Sequence, residues 1–140
     1  MSLKRLSLNT QPLNDGRIVK IYAVRILVDD WVSACKFYEE TLGLTLEFKD
    51  DSFGWAEFDV GGAKFGIERV AADASAEDKA LIGRFVGVSL QVDDVQSTYG
   101  DLIAKGVEFT AAPEKQPWGG VLGHVKDTSG NVITLMSESK

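Results

Sequence analysis

At 140 residues, 44% hydrophobic and 26% charged, the chain has the size and balance of one soluble globular domain that folds without a disulfide or a metal. A net charge of −6 argues against nucleic acid as a partner, because phosphate contacts need clustered Lys and Arg. The lone Cys35 fits a reducing cytoplasm, and no apolar run is long enough to cross a bilayer.

The opening stretch "MSLKRLSLNTQPLNDG" lacks the apolar segment of a secretory signal, so 1–17 is expected to be a loosely ordered arm. Residues 18–28, "IVKIYAVRILV", are rich in β-branched side chains and predict a strand. Asp29 and Asp30 follow, an acidic start suited to a helix cap and to the positive end of the helix dipole. A helix is predicted over about 31–42, because Ala34, Phe37, Tyr38 and Leu42 share one face, and Gly43 ends it. Cys35 falls inside this helix as a small buried residue, and Trp31 after the cap is expected to be structural. "LTLEF" at 44–48 alternates as a strand. "GWAEFDV" and "AKFGIERV" follow as two more, joined by a hairpin at Gly61-Gly62.

Residues 70–84 are rich in Ala and acid and predict a linker with a short helix. The first order then repeats. "VGVSLQV" at 86–92 is a strand and Asp93-Asp94 a cap. A helix over 95–105 has Val95, Tyr99, Leu102 and Ile103 on one face and Gly106 at its end. "VEFT", "VLGHVKD" and "NVITLM" are strands, the last two joined by a turn at "TSG". The unit is βαβββ, used twice: a first module at 18–69, a linker at 70–84 and a second module at 85–137.

The stretches "VDDWVSACKFYEETLGL", "PWGG" at 117–120 and "DTSGN" at 127–131 resemble motifs of the vicinal oxygen chelate superfamily. That superfamily includes glyoxalase I, extradiol dioxygenases, fosfomycin-resistance enzymes and bleomycin-binding proteins. Thr128-Ser129 stands where the family usually has Pro-Asp, which alters a turn. The resemblance covers about 18–137 and implies an α+β fold. Two tandem βαβββ modules would form curved mixed sheets enclosing a cleft, with helices on the outer faces. It also implies a homodimer whose interface helps to build the cleft.

Metal enzymes of that family place ligands on the first and last strands of each half, where the metal polarises substrate oxygens. Counted from Asp30 and Asp94, the first-strand slots fall on Ala23 and Gly87. The last-strand slots fall on Gly66 and Thr134. Ala and Gly have no donor atom, and Thr is a poor divalent-metal ligand. Independently of any alignment, the chain has one histidine, His124, so one chain cannot make a two-His site. No cofactor and no resident metal are expected.

Strand alternation puts Ala23, Arg25 and Leu27 on one face and Val24, Ile26 and Val28 under the helices. By the same count Gly87, Ser89 and Gln91 face the cleft while Val88, Leu90 and Val92 are buried. Arg25, Ser89, Gln91 and Thr134 then supply the polar groups of a concave pocket. Arg25 has two readings, an ion pair with an acidic neighbour or a ligand contact. Trp55 and Trp118 come from corresponding regions of the two halves; they either sandwich a planar ligand or serve core or dimer packing. Glu68 shares a face with Gly66 and Lys64, either as an exposed Lys64–Glu68 pair or as a charged wall against a cationic ligand. His124 is either a hydrogen-bonded or surface side chain or a general base facing the cleft.

The expectation is a cytoplasmic, metal-free protein that sequesters a planar or amphipathic small molecule in the inter-sheet cleft, with no nucleic acid or membrane partner. The alternative is a lyase, isomerase or dioxygenase-type enzyme with displaced or absent metal ligands. A third is an interaction module whose cleft is filled by its own side chains.

Overall fold

In the computed structural model, which describes residues 16–138, the run expected as a strand at 18–28 pairs only over Ala23–Val28 (β1). Its parallel partner begins at Lys64, whose N–H donates to Tyr22 O, so β4 offers no pairing to the residues before Tyr22. Ile18, Val19, Ile21 and Tyr22 are accordingly exposed. Most of the expected N-terminal arm, 1–17, lies outside the described residues.

Asp30 caps helix α1 (Trp31–Lys36) by accepting from the Ser33 N–H at 3.2 Å. The expected regular helix to residue 42 instead widens into a π turn over Phe37–Thr41. The consecutive Phe37 and Tyr38 both point inward there, with rings edge to face at 5.1 Å. Gly43, at φ +77°, ends the helix, and the Leu44 N–H reaches back to Tyr38 O at 2.9 Å. Trp31 is buried and its Nε1–H donates to Ile67 O, a structural role as expected.

Strands β2 (Thr45–Asp50), β3 (Trp55–Asp59) and β4 (Lys64–Arg69) complete a sheet of order β1-β4-β3-β2. β1 runs parallel to β4, and the β3–β4 hairpin turns on Gly61 and Gly62, both at positive φ. The stretch to the second half holds one short helix, α2 (Ala76–Lys79). Then come β5 (Phe85–Gln91), α3 (Val95–Ala104), β6 (Glu114–Lys115), β7 (Val121–Lys126) and β8 (Val132–Ser137), with sheet order β5-β8-β7-β6. Asp94 caps α3 through the Gln96 and Ser97 N–H groups. The strand expected at "VEFT" reduces to one bridge, Phe109 to Val125, and the paired strand comes later at β6. Pro113 lies between them and cannot donate to a ladder.

The fold is α+β, two four-stranded mixed sheets with helices, as the repeat predicts. The helix-side residues of both sheets join one core, with Ile26, Phe58, Phe65 and Ile67 from the first and Val125 and Ile133 from the second. The turn before β8 locks the halves together. Tyr38 donates its hydroxyl to Asp127 Oδ2 at 2.7 Å, and burial pushes that phenol far above its usual range. Asn131, 1% exposed, donates to Leu27 O and accepts from the Gly83 and Arg84 N–H groups. Ser129 Oγ donates to Asp29 Oδ1.

Candidate functional site

Each sheet has one face in the shared core and one face turned away from it. On the first sheet, pairing sets Arg25, Gly66, Glu57 and Phe48 in one row across β1, β4, β3 and β2. The next row is Leu27, Glu68, Trp55 and Asp50. Arg25 grips Glu68 through two bonds, Nε to Oε1 at 2.8 Å and Nη2 to Oε2 at 3.0 Å. The ion-pair reading of Arg25 is therefore the one the structure contains.

The Lys64–Glu68 pair does not form. Four residues along a strand span about 13 Å, beyond the reach of the two side chains. Lys64 instead meets Glu47 at 2.9 Å, and that bond raises its pKa above the ordinary lysine value. Glu57, only 8% exposed, accepts a hydrogen bond at Oε1 from the hydroxyl of Tyr22. The same bond raises the Tyr22 pKa.

On the second sheet the corresponding row is Ser89, Thr134 and His124 across β5, β8 and β7. His124 Nδ1 lies 2.9 Å from Thr134 Oγ1, and Phe85 stands edge-on to the imidazole at 6.1 Å. Ser89 and Gln91 are exposed, as is Phe85 at the strand's start. This face carries aromatic and neutral polar groups where the first carries ion pairs.

The four slots named from the sequence offer no strong metal donor. Gly66 is covered by the indole of Trp55: a Cβ at Gly66 would sit 2.8 and 2.9 Å from Cζ3 and Cζ2 of that ring. Gly87 has φ +79° at the break in β5–β8 register, a bulge conformation that favours glycine. Ala23 has no donor atom, and the Thr134 hydroxyl is engaged with His124. Among the described residues no group of three or more His, Cys, Asp or Glu side chains is arranged for a metal.

The two tryptophans do not occupy equivalent places. Trp55 opens β3, while the β7 residue that corresponds to it in the register is Leu122. Trp118 sits in the turn before β7, 60% exposed, with its ring folded over Gly120.

The two open faces feed separate pockets. One of about 540 Å³ is lined by Arg25, Leu27, Glu68, Leu81 and Arg84. Another of about 150 Å³ beside His124 is lined by Leu122, Glu114 and Gln116, with nothing from the first sheet. Within one chain these are two half-clefts.

Glu57, Tyr22 and Phe48 are absent from the sequence-derived site. A signal for Glu57 exists in the repeat: it pairs with slot residue Gly66 as His124 pairs with slot residue Thr134.

The sequence matches the family described as Glyoxalase/Bleomycin resistance protein/Dioxygenase superfamily over residues 20–135. A Bacillus subtilis (strain 168) protein, YraH, is 30% identical over 125 residues, covering 84% of this chain and 97% of that protein. The crystal structure of a superfamily member from Sphaerobacter thermophilus DSM 20745 superposes with a TM-score of 0.69 at 27% identity, covering 86% of this chain and 98% of that one. TnmS3, an antibiotic binding protein from Streptomyces sp. CB03234, gives 0.64 at 28% identity over 87% of this chain and 98% of its own. No helix among the described residues is long and apolar enough to cross a membrane.

Proposed function

The chain belongs to the Glyoxalase/Bleomycin resistance protein/Dioxygenase superfamily, and from that premise we propose that it is a metal-free binding protein for a planar or amphipathic small molecule. The observation that carries this reading is the Trp55 ring lying on Gly66. A family slot that would present a donor atom presents an aromatic surface instead, which suits stacking and not ligation. The likeness to an antibiotic binding protein supports the same class of ligand.

The working form is a homodimer in the cytoplasm. Each chain has two half-clefts, and Phe48, Phe85 and Trp118, at 50%, 62% and 60% exposure, remain uncovered on or beside them. Setting the charged face of one copy against the other face of a second closes a cleft with one charged wall and one wall of aromatic and neutral polar groups. Ser89, Gln91 and Thr134 then line one wall, with Arg25 and Glu68 on the other.

The test is a thermal-shift screen of aromatic antibiotics and divalent metals, with metal analysis of the purified protein. A ligand at a hundred times its Kd adds about 2.7 kcal/mol of stability. Stabilisation by aromatic compounds with less than stoichiometric metal supports the reading. One tightly held transition metal per chain, released by cleft mutations, overturns it.

A second reading has one observation in its favour. His124 is held at Nδ1 by Thr134 on an open face, the orientation of a general base with Nε2 available. Turnover of a candidate substrate that His124→Gln abolishes without loss of binding would establish an enzyme.

A further inference from the structure

Three glutamates cluster on the open face of the first sheet, and their partners differ. Glu68 holds Arg25 and Glu47 holds Lys64, so each of those carboxylates is neutralised by a cation of its own. Among the described residues Glu57 has only the neutral phenol of Tyr22, at Oε1. Its Oε2 accepts no hydrogen bond from the described residues and is open to solvent, since no buried side-chain oxygen there is left without a partner. A glutamate only 8% exposed as a residue, with one oxygen open to solvent and no dedicated cation among the described residues, is uncommon on a sheet face.

Its neighbours explain what would complete it. Phe48 stands directly across from Glu57 on β2, and Gly66 directly across on β4. Gly66 has no side chain, and the space beside the carboxylate is taken by the Trp55 indole. A negative oxygen with an aromatic ring on either side recognises an organic cation, by charge and by cation–π attraction together. Lys64 feels the Glu57 charge but is itself bound to Glu47, so it does not fill the place.

We propose that Glu57, flanked by Trp55 and Phe48, is a subsite for an ammonium or guanidinium group carried on an aromatic ligand, and that the Tyr22 hydroxyl holds the carboxylate until that cation arrives. This rests on the binding reading above and narrows it. The cationic part of the ligand goes to Glu57 and not to Glu68, whose charge Arg25 already uses.

The experiment uses three probes on one ring system: 2-naphthylmethylammonium, 2-naphthylmethanol and 2-naphthoate. Affinity is read by quenching of tryptophan emission and by melting temperature, on wild type, Glu57→Gln and Tyr22→Phe. The ammonium should bind wild type about tenfold tighter than the alcohol, and Glu57→Gln should erase that preference. Tyr22→Phe frees Oε1 and should tighten the ammonium by about threefold. Should Glu57→Gln fail to fold, the Tyr22→Phe result alone decides, and unchanged or weaker ammonium binding overturns the subsite. Binding of all three probes without charge preference, or a preference that survives Glu57→Gln, overturns the subsite and leaves the binding reading standing. No binding of any probe overturns both.

Discussion

Replacing Gly66 by Ala tests whether the indole of Trp55 lies where the site requires it. Gly66 does not have a positive φ, so the backbone accepts alanine, and in a strand Ala is better than Gly by roughly 0.5–1 kcal/mol. Against that gain stands the clash: the new methyl would lie 2.8 Å from Cζ3 and 2.9 Å from Cζ2 of a rigid ring. Forcing a methyl into an occupied space costs about 1–3 kcal/mol. Trp55 is only half-buried and yields partly, so the net effect is a loss of about 1–2 kcal/mol. For a chain of this size each kcal/mol moves the melting temperature by about 3 °C, so Gly66→Ala should melt about 3–6 °C below wild type. In a Trp55→Ala background the clash is gone and only the strand gain remains. There the same substitution should raise the melting temperature by about 2–3 °C. The sign of the effect inverts with Trp55. Circular dichroism melts of the four proteins of this cycle read it directly. A Gly66→Ala protein as stable as wild type, with no inversion, would mean that the ring is elsewhere and the aromatic floor does not exist.

Gly87→Ala should cost about 1–2 kcal/mol for a different reason, the left-handed φ of +79°; the nearest atom to a Cβ there is Phe85 Cε1 at 3.9 Å, so truncating Phe85 should not rescue it. Asn131→Ala removes a side chain that bonds Leu27 O and the Gly83 and Arg84 N–H groups, and should lower the free energy of unfolding in urea by about 2–4 kcal/mol. The Ser129 hydroxyl holds the Asp29 carboxyl below its usual 3.8. Stability from a depressed carboxyl is present above the unfolded value and is lost as pH falls through the folded one. Ser129→Ala should therefore be less stable than wild type at neutral pH, and the gap should close well below 3.8. Cys35 is buried, and burial pushes its thiol up to about 11. A thiol reagent should leave native protein untouched at mildly alkaline pH and react only as denaturant opens the fold.

The fold was legible because it rests on signals that are local and used twice. Asp30 and Asp94 cap, Gly43 and Gly106 stop, and alternation at 23–28 sorts Arg25 from Ile26. Where those signals were misleading, the cause lies in pairing. The strand expected from residue 18 begins at 23 because β4 offers no partner earlier, and "VEFT" keeps only two bonds to β7, from Lys126 N–H to Glu108 O and from Thr110 N–H to His124 O, before β6 takes over the pairing. The site was less legible, since it depends on neighbours far apart in sequence. No local count shows that Trp55 leans onto Gly66, that Lys64 turns to Glu47, or that Tyr22 reaches Glu57. Arg25 and Glu68 were found as separate candidates, and their bond to each other was not.

The repeat still contains the missing part once its register is known. Each module sets one β3-type or β7-type residue opposite a slot residue: Glu57 opposite Gly66, and His124 opposite Thr134. The two pairs behave differently because the slot residue differs. Thr134 offers a hydroxyl, so His124 Nδ1 has its partner within the same face. Gly66 offers nothing, so Glu57 must look outward, to Tyr22 in the free protein and to the proposed cation when one is bound. The loss of a side chain at one slot thus does two things to the first module. It admits the Trp55 ring, and it leaves a buried carboxylate without an in-row partner. An aromatic floor and an unmatched charge arise from the same glycine. That is why Glu57→Gln should change which molecules bind, whereas His124→Gln should leave the charge preference untouched. A charge preference that followed His124 and ignored Glu57 would place the recognition chemistry on the second module and refute this account.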